Sequence, residues 1–229
     1  MAQIRRVQPG ILLALICLPI FIGALDLTVV SAVLPYVIVD LEIPLQTGLD
    51  DAAWMVTGYL LAYSVSMTFM GRLSDLYGRR RVYLLALTVF ALGSYLVAVA
   101  HNWPTQLALR VSYLFIEGRP DVSYVTLYVL IAARMIQAFG AGTMVPVGMA
   151  LVADIYPITM RSRALGLIAA VDTAGWVVGH LYGGIIVGFW DWRMIFWLNL
   201  PACLIAYLLI AYLMRGVPQT PSLGKMDWL

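Results

Sequence analysis

A densely basic turn, Gly71-Arg-Leu-Ser-Asp-Leu-Tyr-Gly-Arg-Arg-Arg81, stands between two apolar runs, 52–70 and 82–100, that contain no charged residue. The turn alone holds four of the 14 Lys and Arg residues of the chain. Each flanking run is close to the ~20 residues a helix needs to cross the hydrocarbon of a bilayer. A short basic loop between two such runs therefore fixes both the environment of the chain and its orientation.

The rest of the composition agrees. The chain has 229 residues, 62% of them hydrophobic and only 11% charged. A water-soluble domain carries about 25% charged residues, so that class is excluded. The net charge of +2 is too small and too clustered to point to nucleic acid. Cys17 and Cys203 both lie inside apolar runs and read as small core residues rather than a disulfide. The first apolar run starts near Ile11 and continues past the length of a signal h-region, so no cleavable signal is expected.

Six stretches qualify as spans: 11–37, 52–70, 82–100, 124–152, 164–189 and 194–214. The fold class expected is an all-α membrane protein with six transmembrane helices. Residues 1–10 and 215–229 then form an N-terminus and a tail on one side, and 101–123 forms a long outer loop, with a short interfacial helix over 107–116. Arg5, Arg6, Arg72, Arg79, Arg80, Arg81, Arg161, Arg163, Arg215 and Lys225 share the side of the termini, whereas Arg110, Arg119 and Arg193 lie opposite. The excess of positive charge places both termini in the cytoplasm. Trp54, Trp103, Trp190 and Trp192 fall near the outer span ends, where interfacial anchors belong.

Ionisable residues inside a span are costly and usually face a bundle interior, paired with something. Four stand out: Asp26, Arg134, Asp172 and His180. At 1.5 Å of rise per residue, Asp26, Arg134 and His180 all fall near mid-membrane, and Asp172 about two turns from His180. A carboxylate, a guanidinium and an imidazole at one depth form a chain suited to moving protons or a solute. Plainer readings stay open. Asp26 and Arg134 can be an ion pair that only sets helix register, His180 a packing histidine, and Asp172 a side chain reaching towards the inner face. Asp154, at a helix end, reads as a solvated cap.

Span five adds a second pattern, Gly175, Gly179 and Gly183 with Gly184, glycines at a four-residue repeat that allow a close backbone crossing. Span four carries Gly140, Gly142 and Pro146, so it too can pack closely and bend. No metal-ligand spacing, nucleophile motif or phosphate-cradling turn is present, so neither an enzyme nor a cofactor is expected.

Four segments together resemble the N-terminal half of a major facilitator superfamily transporter, most like its 14-span drug/proton antiporter group. Leu25-Asp-Leu-Thr-Val-Val-Ser-Ala-Val-Leu-Pro35 is similar to the first-span signature, and Gly71, Asp75, Gly78, Arg79 and Arg80 match the loop between spans two and three. Arg134-Met-Ile-Gln137 with Gly140 and Gly142 resembles the fourth-span motif, and Trp192-Arg-Met-Ile-Phe-Trp-Leu-Asn-Leu-Pro201 the start of span six. The resemblance implies a lobe built as a 3+3 inverted repeat. It implies a cytoplasmic gate at Gly71, Asp75, Gly78, Arg79 and Arg80, and a proton or substrate pathway through Asp26, Arg134, Gln137, Asp172 and His180. Two residues depart from the pattern: His180 stands where the span-five motif has Pro, and Ser31 where the first-span signature has Asn. Without that Pro, span five is expected to be straighter.

The chain ends at Leu229, where the family's seventh span would begin. Two readings follow. In the first, the chain is half of a proton-coupled efflux transporter for a small drug-like or amphipathic solute, in a bacterial-type plasma membrane. A second lobe, from another copy or another chain, completes it. In the second, it is a non-transporting structural subunit derived from such a lobe within a larger membrane complex.

Overall fold

The computed structural model describes residues 8–115 and 121–214. Arg5, Arg6, Arg119, Arg215, Lys225, the tail 215–229 and part of the 101–123 loop lie outside the described residues.

Among the described residues there are seven helices and no strand: α1 Pro9–Asp40, α2 Leu45–Tyr77, α3 Arg79–Ala98, α4 Trp103–Phe115, α5 Val122–Ile155, α6 Ile158–Phe189 and α7 Arg193–Leu213. Prolines set several starts. Pro9 occupies the first turn of α1, where its missing N–H costs nothing, and Pro44 and Pro157 precede α2 and α6 in extended backbone. One residue, Gly78, joins α2 to α3. Its φ of 93° lies in the region that side chains with a Cβ avoid, so the hairpin of the basic turn depends on a glycine there. Asp121 caps α5 by accepting a hydrogen bond from the Ser123 backbone N–H at 2.9 Å.

Each predicted span falls on a helix, and residues 107–115 of the expected interfacial segment on α4, residue 116 lying outside the described residues. Five helices, α1, α3, α5, α6 and α7, are long and apolar enough to cross a membrane. α2 is as long but more polar, since Thr57, Tyr59, Tyr63, Ser64, Ser66 and Thr68 interrupt the apolar residues of its charge-free stretch. α6 contains no proline and runs unbroken over its 32 residues.

α5 packs between α2 and α3, while α6 packs almost entirely on α1 and α7 on α3. The second helix of each three-helix unit thus leans on the first helix of the other unit, as in a 3+3 repeat. Two apolar cores result. One joins Ile16 and Ile20 of α1 to Phe90, Met144, Leu151 and Ile210 near the basic turn. The other joins Val29 and Val33 to Met55, Val97, Leu127 and Ile195 towards the opposite end. Cys17 and Cys203 are free and buried in the first core.

Glycine lets the helices approach. A Cβ on Gly175 would meet the Phe21 carbonyl oxygen at 2.8 Å, and one on Gly179 the Leu25 carbonyl oxygen at 2.5 Å. Gly183 lies on the same ridge against Val29, but Gly184 meets nothing within 4 Å and is not a packing residue. Trp192 also departs from expectation. It is buried, with its ring 6.0 Å from that of Phe196, whereas Trp54, Trp103 and Trp190 are exposed.

A methyl group on Gly179 must push a backbone carbonyl, so Gly179→Ala should destabilise the folded protein by about 1–3 kcal/mol. Gly184→Ala should be neutral or stabilising by up to about 1 kcal/mol through helix propensity. Thermal unfolding in detergent followed by tryptophan fluorescence checks both; equal behaviour of the two variants would contradict the ridge.

Candidate functional site

Between the two apolar cores lies a thin polar layer. It takes one residue from α1 (Asp26), one from α3 (Ser94), two from α5 (Arg134 and Gln137) and one from α7 (Asn199). All five are buried, with Asp26 at 0% and Arg134 at 1% exposure. Arg134 Nη1 donates to Asp26 Oδ2 in a close ion pair, and Nη2 donates to the Asp26 backbone carbonyl at 3.1 Å. Gln137 lies one turn further along α5. Its Oε1 accepts from Arg134 Nη1 at 2.6 Å, and its Nε2 donates to Asp26 Oδ1 at 3.0 Å and to Ser94 Oγ at 2.6 Å. Asn199 Nδ2 closes the ring by donating to the same Asp26 oxygen at 3.0 Å.

The guanidinium is also held from its face. Its central carbon lies 4.1 Å from the centre of the Tyr59 ring, which brings α2 into the layer, and 5.7 Å from that of Phe196. A cation over an aromatic face gains about 2 kcal/mol when both are desolvated. The approach of α3 to α5 at this level depends on Gly93, where a Cβ would lie 2.4 Å from the Gln137 Cα. Arg134 Nε is the one buried side-chain nitrogen of the layer without a partner among the described residues.

Asp26 and Arg134, expected at one depth, do meet, and Gln137, which the resemblance placed on the same path, lies beside them. His180 does not join them. Its Nε2 lies 3.0 Å from Ser31 Oγ, on an exposed face where α6 meets α1. Ser31 Oγ also lies 2.6 Å from the Thr28 carbonyl, to which it donates. The two residues that depart from the family pattern are thus each other's partners. Asp172 is half-buried and also apart from the polar layer. Its Oδ1 has no hydrogen-bond partner among the described residues. Depth along a helix axis aligned these residues, but their direction around the axis separates them.

Sequence reasoning gave no role to Ser94, Asn199 or Tyr59. The signal for Asn199 was its place as the one amide in an otherwise apolar span; Ser94 and Tyr59 had none beyond their polarity.

The basic turn makes a second constellation. Arg79 Nη2 lies 2.9 Å from Asp75 Oδ1, and Nη1 reaches α5, at 2.7 Å from both Asp154 Oδ1 and the Ala150 carbonyl. Asp154 is thus an ion-pair partner of the turn rather than a merely solvated cap. Arg80 donates to the Ala211 carbonyl at 2.6 Å, one of the groups left without an intrahelical partner at the end of α7. Gly71 is in ordinary contact with Pro146, with room for a side chain. These pairs are partly exposed, so each contributes at most about 1 kcal/mol, and their effect is to tie the start of α3 to the ends of α5 and α7. At the opposite end, Arg193 binds Asp40 at 2.6 Å and Asp191 at 3.1 Å, joining α1 to α7.

A family model described as Major Facilitator Superfamily matches residues 16–226. A triacylglyceride transporter from Mycolicibacterium hassiacum is 34% identical over 224 residues, covering 97% of this chain and 37% of the relative. The riboflavin transporter RibZ of Clostridioides difficile is 29% identical, covering 88% and 38%. Among solved structures, a partially occluded inward-open form of the xylose transporter XylE from E. coli matches with a TM-score of 0.70 at 17% identity, covering 94% and 51%. The chain thus spans somewhat over a third of the length of those relatives and about half of XylE.

Removing one donor from the Asp26 carboxylate tests the layer. Asn199→Leu should cost about 1 kcal/mol of unfolding free energy, and Asn199→Gln should recover less than all of it because the longer amide alters the geometry. Guanidinium or detergent-titrated unfolding checks the order wild type, Gln, Leu; a Leu variant as stable as wild type would contradict it.

Proposed function

The chain belongs to the major facilitator superfamily, and from that premise we propose that it is one lobe of a proton-coupled secondary transporter that exports a small drug-like or amphipathic solute by alternating access. All six spans, including α2, cross the membrane in this reading, with both termini cytoplasmic in a bacterial-type plasma membrane. A second lobe supplies the other wall of the cavity. The names of the relatives, triacylglyceride and riboflavin transporters, fit an amphipathic solute.

The observation that carries the proposal is the sealed network of Asp26, Arg134, Gln137, Asn199 and Ser94, built from four helices. Desolvating a carboxylate and a guanidinium costs several kcal/mol per ion, and apolar side chains of similar volume would often serve stability as well. Ionisable groups held at membrane depth at such cost mark ion or proton pathways. A proton arriving on Asp26 removes the charge that holds Arg134. The guanidinium then needs another partner, and α1, α5 and α7 must shift to provide it. Solute movement is coupled to that change. His180 and Asp172, outside the network on α6, act at the solute-facing side of the path. The turn from Asp75 to Arg80, tied to α5 and α7, transmits the shift to the cytoplasmic gate.

The test is pH-gradient-driven movement of an amphipathic fluorescent dye in inverted membrane vesicles from expressing cells. Asp26→Asn and Arg134→Lys should each reduce coupled movement, normalised to the amount of inserted protein, to the background of empty vesicles. Unaltered movement in both variants would reject the path. An unmodified protein that moves no solute and purifies in fixed proportion with unrelated membrane proteins would favour the structural-subunit reading.

A further inference from the structure

Three consecutive arginines open α3, and the structure uses only two of them inside the bundle. Arg79 is engaged by Asp75, Asp154 and the Ala150 carbonyl, and Arg80 by the Ala211 carbonyl. Successive residues on a helix point about 100° apart. Arg81 is accordingly turned away from both sets of partners; it is exposed and makes no hydrogen bond or ion pair among the described residues.

Arg81 stands instead at one end of a groove of about 500 Å³ between α2, α3 and α5. Leu73 and Met70 form one wall, Leu85 and Val89 the other, and Phe139 and Thr143 the floor. The hydroxyl of Thr143 donates to the Phe139 carbonyl at 2.8 Å, so the floor offers no free side-chain donor. No acidic side chain lines the groove. Tyr77, 64% exposed, stands beside Arg81 at the same end, and its hydroxyl is unpaired among the described residues. From Arg81 to Val89 the helix rises about 12 Å. That is close to the ~15 Å depth of hydrocarbon in one leaflet.

We propose that this groove is a binding site for an anionic glycerophospholipid of the leaflet on the side of the basic turn. One acyl chain lies along Leu73, Leu85, Val89 and Phe139, and the phosphate sits on the Arg81 guanidinium with the Tyr77 hydroxyl as second donor. Charge complementarity selects the occupant. The mouth offers a full positive charge and no carboxylate, so a zwitterionic headgroup would bring its own cation against Arg81. The lipid would be wedged beside the single-residue connection at Gly78, next to the charge pairs that tie α3 to α5 and α7. The site does not depend on the transport reading, because it requires only that the helices lie in a bilayer.

Native mass spectrometry of the purified protein, titrated with phosphatidylglycerol or phosphatidylcholine of matched acyl chains, tests the proposal. Phosphatidylglycerol should be retained preferentially. Arg81→Gln should weaken it about fivefold, the equivalent of the ~1 kcal/mol per basic side chain at an anionic membrane surface, and leave phosphatidylcholine unchanged. Arg163→Gln, which removes an equal charge from an exposed position on α6, should have a smaller effect. Val89→Trp, which fills the groove, should weaken both lipids. Arg81 and Val89 lie outside the buried cores, so both variants should fold, with unchanged thermal unfolding as the check. Equal loss in Arg81→Gln and Arg163→Gln would reduce the effect to general electrostatics and overturn the site. So would unaltered binding in Arg81→Gln or Val89→Trp, or retention of glycerol phosphate as tight as that of the lipid.

Discussion

A carboxylate and a guanidinium buried together at mid-bundle set the terms for everything around them. Neither Asp26 nor Arg134 can be left alone in an apolar medium, where an unpaired ion costs several kcal/mol. Their pairing through Asp26 Oδ2 brings α1 and α5 to a fixed register, and Gln137 and Asn199, both donating to Oδ1, with Ser94 accepting from Gln137, extend it to α3 and α7. Tyr59 brings in α2 by covering the face of the guanidinium. The apolar cores on either side of this layer can then be ordinary packing. Non-directional burial alone would let helices of such uniform composition rotate or slip against one another, and the polar layer removes that freedom.

Close approach is the second condition. Gly93 against Gln137 lets the polar side chains of α3 and α5 reach one another, while Gly175 and Gly179 against Phe21 and Leu25 seat α6 on α1 outside the polar layer. The ends are tied differently. Partly exposed charge pairs, Arg79 with Asp75 and Asp154 at one end and Arg193 with Asp40 at the other, are individually weak and can be exchanged at low cost. The bundle thus has a sealed centre, whose charges are costly to separate, and ends whose ties exchange at low cost. α6 is the exception, since it rests almost wholly on α1 and leaves most of its surface uncovered.

Much of this was legible in the residues, for identifiable reasons. Charge-free runs located the helices, because backbone groups and side chains at membrane depth obey strict limits. The meeting of Asp26 and Arg134 followed from their depth and from the cost of leaving either unpaired. The rest required knowledge that a linear pattern does not carry. His180 follows Gly179 directly, so it points about 100° away from the ridge that faces α1; equal depth did not bring it to Asp26, and it found Ser31 instead. Asp154 was recognisable as a helix-end residue, but its partner, Arg79, is 75 positions away. Ser94 is small and neutral and barely perturbs hydropathy, yet it joins Gln137 in the sealed layer. Trp192 has the composition of an interfacial anchor and is buried, because the tight α6–α7 connection folds it back onto Phe196.

The mutual dependence of the two central charges is best measured by a double-mutant cycle on unfolding free energy. Asp26→Asn and Arg134→Gln, made singly, each strand an ion in the layer and should cost about 3–5 kcal/mol. Made together they remove both ions, and the double variant should lose clearly less than the sum of the singles, a coupling of at least about 1 kcal/mol. Simple additivity would mean that Asp26 and Arg134 do not sustain one another, and would contradict the account at its centre.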